Sequence, residues 1–210
     1  MRHYHERLLI PGPVGSLQAL YQPGNEEAPG VVVCHPHPLY GGTMRNKVVY
    51  WMARAFEDLG CAVVRFNFRG VEQSEGSWDD GRGEIDDAYA VMSWLRQKHD
   101  TAREYWMAGF SFGCYAGMKA AHRDRDVRRL FAVAPAIHLY DFSFLDHETR
   151  PLTVVHGTQD EIVPYDTVAQ WCAGRSNVRF HAIHGAGHFF QGYMEEMTAC
   201  LLDGVRVTGC

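Results

Sequence analysis

Apolar residues along this chain fall into two alternating patterns. Short continuous runs, Gly30–Cys34, Cys61–Phe68, Glu104–Ala108, Leu130–Ala134, Leu152–Val155 and Val178–Ile183, are bounded by glycine, proline or charged clusters. Runs of this kind predict strands buried on both faces. Between them, apolar residues recur every three or four positions. Lys47–Leu59 carries Val48, Met52, Ala55, Phe56 and Leu59, and Glu84–Lys98 carries Ile85, Ala88, Val91, Met92 and Leu95. Phe112–His122 is rich in small residues, and Tyr165–Ala173 and Tyr193–Leu202 complete the set. These segments predict helices with one face turned to a sheet, the first ending at Gly60 as a normal C-terminal glycine. Ahead of them, Leu8-Leu9-Ile10 and Leu17–Tyr21 flank Pro11-Gly12-Pro13 and Gly15-Ser16, which predicts an antiparallel hairpin at one sheet edge. Arg69–Gly83, rich in Gly, Ser, Asp and Glu, reads as a surface loop.

An antiparallel start followed by alternating strands and helices predicts an α/β chain with a mostly parallel eight-stranded sheet flanked by helices. No repeat, low-complexity tract or linker divides it, so residues 1–210 are read as a single domain. The short connection His138–Arg150 leaves no room for a cap domain. In such sheets ligands bind beyond the carboxyl ends of the strands. His35 and His37 follow one predicted strand, Ser111 another, Asp160 a third and His188 a fourth.

Composition narrows the partners. With 46% hydrophobic residues, 12% aromatics and a formal net charge of -5, the chain can bury a full core but shows no basic stripe. A small, uncharged or modestly charged molecule is therefore the expected partner, not nucleic acid or a membrane; the glycine-bracketed Ser111 makes a small-molecule acyl substrate the expectation. Met1–Arg7 carries charges and imidazoles where a signal peptide needs an apolar core, and no stretch is long enough to span a bilayer, so a cytoplasmic location is expected. Six cysteines form no C-x-x-C pair, and a disulfide framework is not expected. Cys114, three residues beyond Ser111, is expected to point into packing. An edge strand near the C-terminus and an apolar final segment are compatible with a homodimer.

Gly109-Phe110-Ser111-Phe112-Gly113 stands between a predicted strand and a predicted helix. A serine bracketed by glycines there makes a tight turn that holds the hydroxyl out from the sheet. A hydroxyl is a poor nucleophile near neutral pH and needs an imidazole base held in one tautomer by an acid. Asp160 and His188 are the candidates, with Glu161 and His184 as their rivals and His156 as a structural residue at its strand end. Acyl transfer also needs two N–H donors for the oxyanion. One is Phe112, the residue after the serine. In His35-Pro36-His37-Pro38-Leu39 the prolines cannot donate, which leaves His37 first and Leu39 second. His35-x-His37 lacks the closely following Asp and His that a metallohydrolase wants, so no metal and no cofactor are expected. Tyr40, Phe110, Phe112, Phe189 and Phe190 adjoin these groups, and about half are expected to reach a pocket, with Tyr40, Phe110 and Phe189 as its wall.

Taken together, these motifs resemble the α/β-hydrolase superfamily along essentially the whole chain, in particular its small microbial lidless serine hydrolases and esterases. His35–Val49 matches HPHP-x-x-GG-T-M-x-N-K-V-V, and Phe66–Gly70, Gly109–Gly113, His156-Gly157-x-x-Asp160 and Gly187-His188 match further signals. Glu72 departs from the pattern, standing at the first glycine of a V-G-x-S-x-G stretch. The resemblance favours His37 as the second oxyanion donor. It implies a serine hydrolase that cleaves small carboxylic esters or thioesters through an acyl-enzyme on Ser111, Asp160 and His188. A peptidase or a lactone or dienelactone-type hydrolase on the same triad is the alternative, ahead of a metal-dependent hydrolase or a non-catalytic binding protein.

Overall fold

The computed structural model describes residues 5–205; Met1–Tyr4 of the N-terminal reading and Cys210 of the cysteine reading lie outside them. The chain opens with the hairpin β1 (Glu6–Gly12) and β2 (Gly15–Gln22), followed by β3 (Gly30–Cys34), α1 (Lys47–Asp58), β4 (Ala62–Phe66) and α2 (Arg82–Lys98). β5 (Tyr105–Phe110), α3 (Phe112–His122), β6 (Val127–Val133), β7 (Leu152–Gly157), α4 (Tyr165–Cys172), β8 (Val178–Ile183) and α5 (Met194–Leu201) complete it. The eight strands form one sheet in the order β1-β2-β4-β3-β5-β6-β7-β8. β1 and β2 run antiparallel to each other, β2 runs antiparallel to β4, and every later pairing is parallel.

The continuous apolar runs are explained by what covers each face. Successive side chains of a strand point to opposite faces. Val32, Val64, Met107 and Val154 pack with α2, α3 and α4 residues such as Leu95, Met118 and Val168. Val31, Val33, Val63, Trp106 and Phe131 pack with α1 and α5 through Phe56, Met52, Met197 and Leu201. Both faces are therefore dry, and all residues of β3, β4, β5 and β7 are buried.

Differences from the sequence reading are local. β6 begins at Val127, ahead of the apolar run, because Arg129 lies at the amino edge of the sheet where it reaches Glu104 at 3.7 Å. Arg69–Gly83 is not surface throughout. The Arg69 guanidinium is buried against Asp87 at 2.7 Å and donates to the Gly83 carbonyl at 2.7 Å, tying the loop to α2. Between β6 and β7 the described residues hold a single short 3-10 turn, Ser143–Leu145, and no cap domain. Cys34, Cys61, Cys114, Cys172 and Cys200 are all free thiols. Among the described residues no helix is long and apolar enough to cross a membrane.

Candidate active site

Ser111 is the single residue between β5 and α3, with φ 54° and ψ −117°, a conformation that a side chain rarely adopts. Close packing imposes it. A Cβ on Gly109 would stand 2.4 Å from the Gly113 carbonyl carbon, and one on Gly113 would stand 2.4 Å from the Cys34 oxygen. The Ser111 N–H donates to the Val133 carbonyl at 2.9 Å, which fixes the turn to β6. Phe112 opens α3, so its N–H has no intrahelical acceptor. Cys114 turns away into the packing, donating to the Gly109 carbonyl at 3.0 Å, and burial pushes its thiol far up.

Asp160 lies on the turn after β7. Its Oδ1 accepts the N–H groups of Ile162 at 2.9 Å and Val163 at 2.7 Å, and its Oδ2 stands 2.8 Å from His188 Nδ1. Burial alone would raise this carboxyl, but the hydrogen bond and charge of His188 and the two backbone N–H groups hold it below the usual aspartate range. A carboxylate can only accept, so Nδ1 carries the proton and Nε2 is the basic nitrogen. Phe110 and Phe189 support the ring at centroid distances of 5.0 and 5.1 Å.

The rivals have other partners. Glu161 accepts the backbone N–H of His188 at 3.1 Å and does not hold its ring. His184 is exposed on the turn after β8. His156, fully buried, donates from Nε2 to the Val163 carbonyl at 3.1 Å and closes the Asp160 turn from beneath. Burial lowers its pKa below the ordinary imidazole range and keeps it neutral, 3.7 Å from Asp160.

Beyond β3, His35 is a buried pin. Its Nδ1 donates to the Pro36 carbonyl at 2.6 Å and its Nε2 accepts the Phe68 N–H at 3.0 Å, so neither nitrogen is left for a cation. Burial pushes it down to about 3. The His37 ring packs against Trp78 at 4.5 Å, Tyr40 at 4.6 Å and Phe112 at 5.3 Å. Its Nδ1 accepts the Leu39 N–H at 3.2 Å, so that donor is already occupied. The His37 N–H meets no acceptor among the described residues.

Ser111, His37, Phe112 and His188 line one cavity of about 540 Å³, walled by Tyr40, Leu139, Tyr140, Ile162 and Phe189. No hydrogen bond joins Ser111 Oγ to the His188 ring among the described residues, and such contacts often tighten only around a bound substrate. Phe110 corrects the sequence reading. It is fully buried beneath the His188 ring and is absent from the cavity wall, because it shares the sheet face of Trp106 and Ala108. Phe190 is likewise core. The arrangement places a hydroxyl, a carboxylate-bound imidazole and two unoccupied N–H groups at one sheet edge, the parts needed for acyl transfer.

Residues 17–146 match the family model described as X-Pro dipeptidyl-peptidase (S15 family). The chain belongs to this family, within the α/β serine hydrolases. An uncharacterized protein of Rickettsia prowazekii is 39% identical over 202 residues, covering 91% of this chain and 85% of that one. An α/β serine hydrolase homologue from Coxiella burnetii superposes with a TM-score of 0.90 at 40% identity, over 96% of this chain and 97% of its own. A lidless α/β serine hydrolase from Xanthomonas campestris gives 0.88 at 34% identity, over 100% and 98%.

Asn67 and Glu72 fall within motifs of the sequence, but motif matching does not tell what they hold, and Leu139, Tyr140 and Ile162 of the cavity wall carry no motif at all. Asn67, buried just after β4, accepts the Met44 N–H at 2.8 Å and donates to Gln18 and to Glu72, each at 2.8 Å. Glu72 takes φ 48°, the conformation for which a glycine would be suited, and its carboxylate braces Asn67. Leu139, Tyr140 and Ile162 come from loops after β6 and β7. Their position just beyond strand ends was the available signal.

Proposed function

We propose that this serine hydrolase is a carboxylesterase acting on small, uncharged carboxylic esters or thioesters. Ser111 Oγ attacks the carbonyl while His188 Nε2 takes its proton, and Asp160 holds the imidazole in the productive tautomer. The N–H groups of His37 and Phe112 receive the oxyanion. Collapse expels the alcohol or thiol, which takes the proton back from His188. Water then attacks the acyl-enzyme with His188 again as base, releasing the acid and restoring Ser111.

One observation carries the substrate class: the cavity wall contains no Asp, Glu, Lys or Arg. An apolar wall with a few polar groups suits an uncharged acyl chain. A peptide entering by its free amino terminus presents an ammonium that wants a carboxylate partner. The family's name favours a second reading, an X-Pro dipeptidyl-peptidase, and the uncharged wall argues against it.

The test is a panel of p-nitrophenyl acetate, butyrate and octanoate, the matching thioesters, a lactone and Gly-Pro p-nitroanilide, run on the protein and on Ser111→Ala. Turnover of the esters or thioesters, lost in Ser111→Ala together with fluorophosphonate labelling, is expected. Preferential cleavage of the dipeptide anilide would transfer the assignment to the peptidase, and undiminished labelling of Ser111→Ala would remove the nucleophile.

A further inference from the structure

Asp160 and Glu161 are adjacent, yet their carboxylates hold different parts of one residue. Asp160 Oδ2 stands 2.8 Å from the His188 ring nitrogen, whereas Glu161 Oε2 accepts the His188 backbone N–H at 3.1 Å. We infer that Glu161 is a positioning residue for His188, fixing the main chain from which the imidazole is presented so that the bond to Asp160 selects one ring orientation. The inference rests on the reading of His188 as the base.

Two features of the loop support it. Gly185-Ala186-Gly187 precedes His188 with almost no side chain of its own, so the backbone must be held from outside. The Gly185 N–H is bonded to Thr158 Oγ1 at 3.0 Å and the Ala186 carbonyl to the Gln159 N–H at 3.0 Å, but His188 itself is anchored through Glu161. Gly187 then makes room for that anchor. A Cβ there would lie 2.7 Å from Glu161 Oε2. Gly187 is outside the left-handed region, so its backbone does not demand glycine, and a Cβ there would meet the far end of the exposed Glu161 side chain and push it aside. Glu161 is no part of the cavity wall, so its influence belongs in kcat and not in substrate binding.

Glu161→Ala is expected to lower kcat about tenfold with KM unchanged, the scale of a hydrogen bond to a charged group. Glu161→Gln keeps a carbonyl acceptor and is expected to recover most of the rate. Gly187→Ala displaces the same carboxylate, so it should match Glu161→Ala, and the double variant should be no slower than either single one. Hydrogen exchange at the His188 amide, followed by NMR, reads the contact without any substrate and should quicken in Glu161→Ala. Wild-type kcat in Glu161→Ala, multiplying losses in the double variant, or unchanged exchange at His188 would each overturn the inference. Activity that survives His188→Ala would instead remove the reading on which it rests.

Discussion

Gly113→Ala tests the geometry of the serine turn most directly. The added methyl would lie 2.4 Å from the Cys34 oxygen, 2.6 Å from the His35 oxygen and 2.7 Å from the Cys34 carbonyl carbon, all main-chain atoms that cannot rotate away. Ordinary contact begins at 3.4 Å, so the first turn of α3 and the end of β3 must part by about 1 Å. That displacement acts on both sides of the proposed oxyanion site, since Phe112 is on α3 and His37 follows β3. A misplacement of this size costs about 100-fold in rate. Overpacking should also remove about 1–3 kcal/mol of stability, of which the better helix propensity of alanine returns less than about 1 kcal/mol. The assay is kcat and KM on p-nitrophenyl acetate beside urea unfolding. Gly117→Ala, one turn further along α3, is the control. Its methyl would meet the side-chain atoms Cys34 Sγ at 3.1 Å and Met107 Cγ at 3.2 Å, which can give way, and kcat should hold. A Gly113→Ala protein with kcat within about twofold of wild type would refute the argument that this close approach sets the site.

Asp160→Asn keeps an acceptor for the Ile162 and Val163 N–H groups but offers the His188 ring no carboxylate, and kcat should fall by roughly 10⁴ in steady-state assays. The wild-type carboxyl titrates below its ordinary 3.8, so its contribution to stability is present above that value and is lost as pH falls through the lower folded value; unfolding of the Asn variant should lack this acid-limb loss. His35 stays neutral in the folded protein down to about 3 while the unfolded chain binds its proton below 6.5. Stability is therefore full above 6.5 and declines as pH falls toward 3, by up to about 1.4 kcal/mol per pH unit, and urea unfolding of His35→Gln should show a shallower decline. At Glu72, whose φ is 48°, Ala loses the bond to Asn67 and keeps the strain, whereas Gly loses only the bond. Glu72→Gly should thus be more stable than Glu72→Ala by about 1 kcal/mol in chemical denaturation.

Much of this architecture is legible in the sequence because burial on two faces leaves a continuous apolar run and burial on one helical face leaves a 3.6-residue period. Strand order is not, since the pattern reports which faces are covered and not which strand lies alongside; nothing in Gly30–Cys34 places β3 between β4 and β5. The cavity wall was partly hidden for a related reason. Leu139, Tyr140 and Ile162 belong to aperiodic loops whose paths depend on the strands they join. Phe110 was readable, because its period of two with Trp106 and Ala108 assigns it to the face away from Phe112.

The two rankings made from sequence, Asp160 ahead of Glu161 and His37 ahead of Leu39, turn on one physical device. Asp160 folds its Oδ1 back onto the N–H groups two and three residues ahead, and that turn aims Oδ2 at the His188 ring while Glu161 projects toward the main chain. His37 folds its Nδ1 back onto the N–H two residues ahead, which occupies Leu39 and leaves the His37 N–H unbonded. Such short-range bonds between a side chain and the following backbone compete with regular structure and are set by one or two dihedral angles. Residue type and spacing rank the members of each pair but do not show which group is bonded and which is free. What separates them is the direction of a single side chain, itself held by the packing of Trp78, Tyr40 and Phe112 around His37 and of His156 beneath the Asp160 turn.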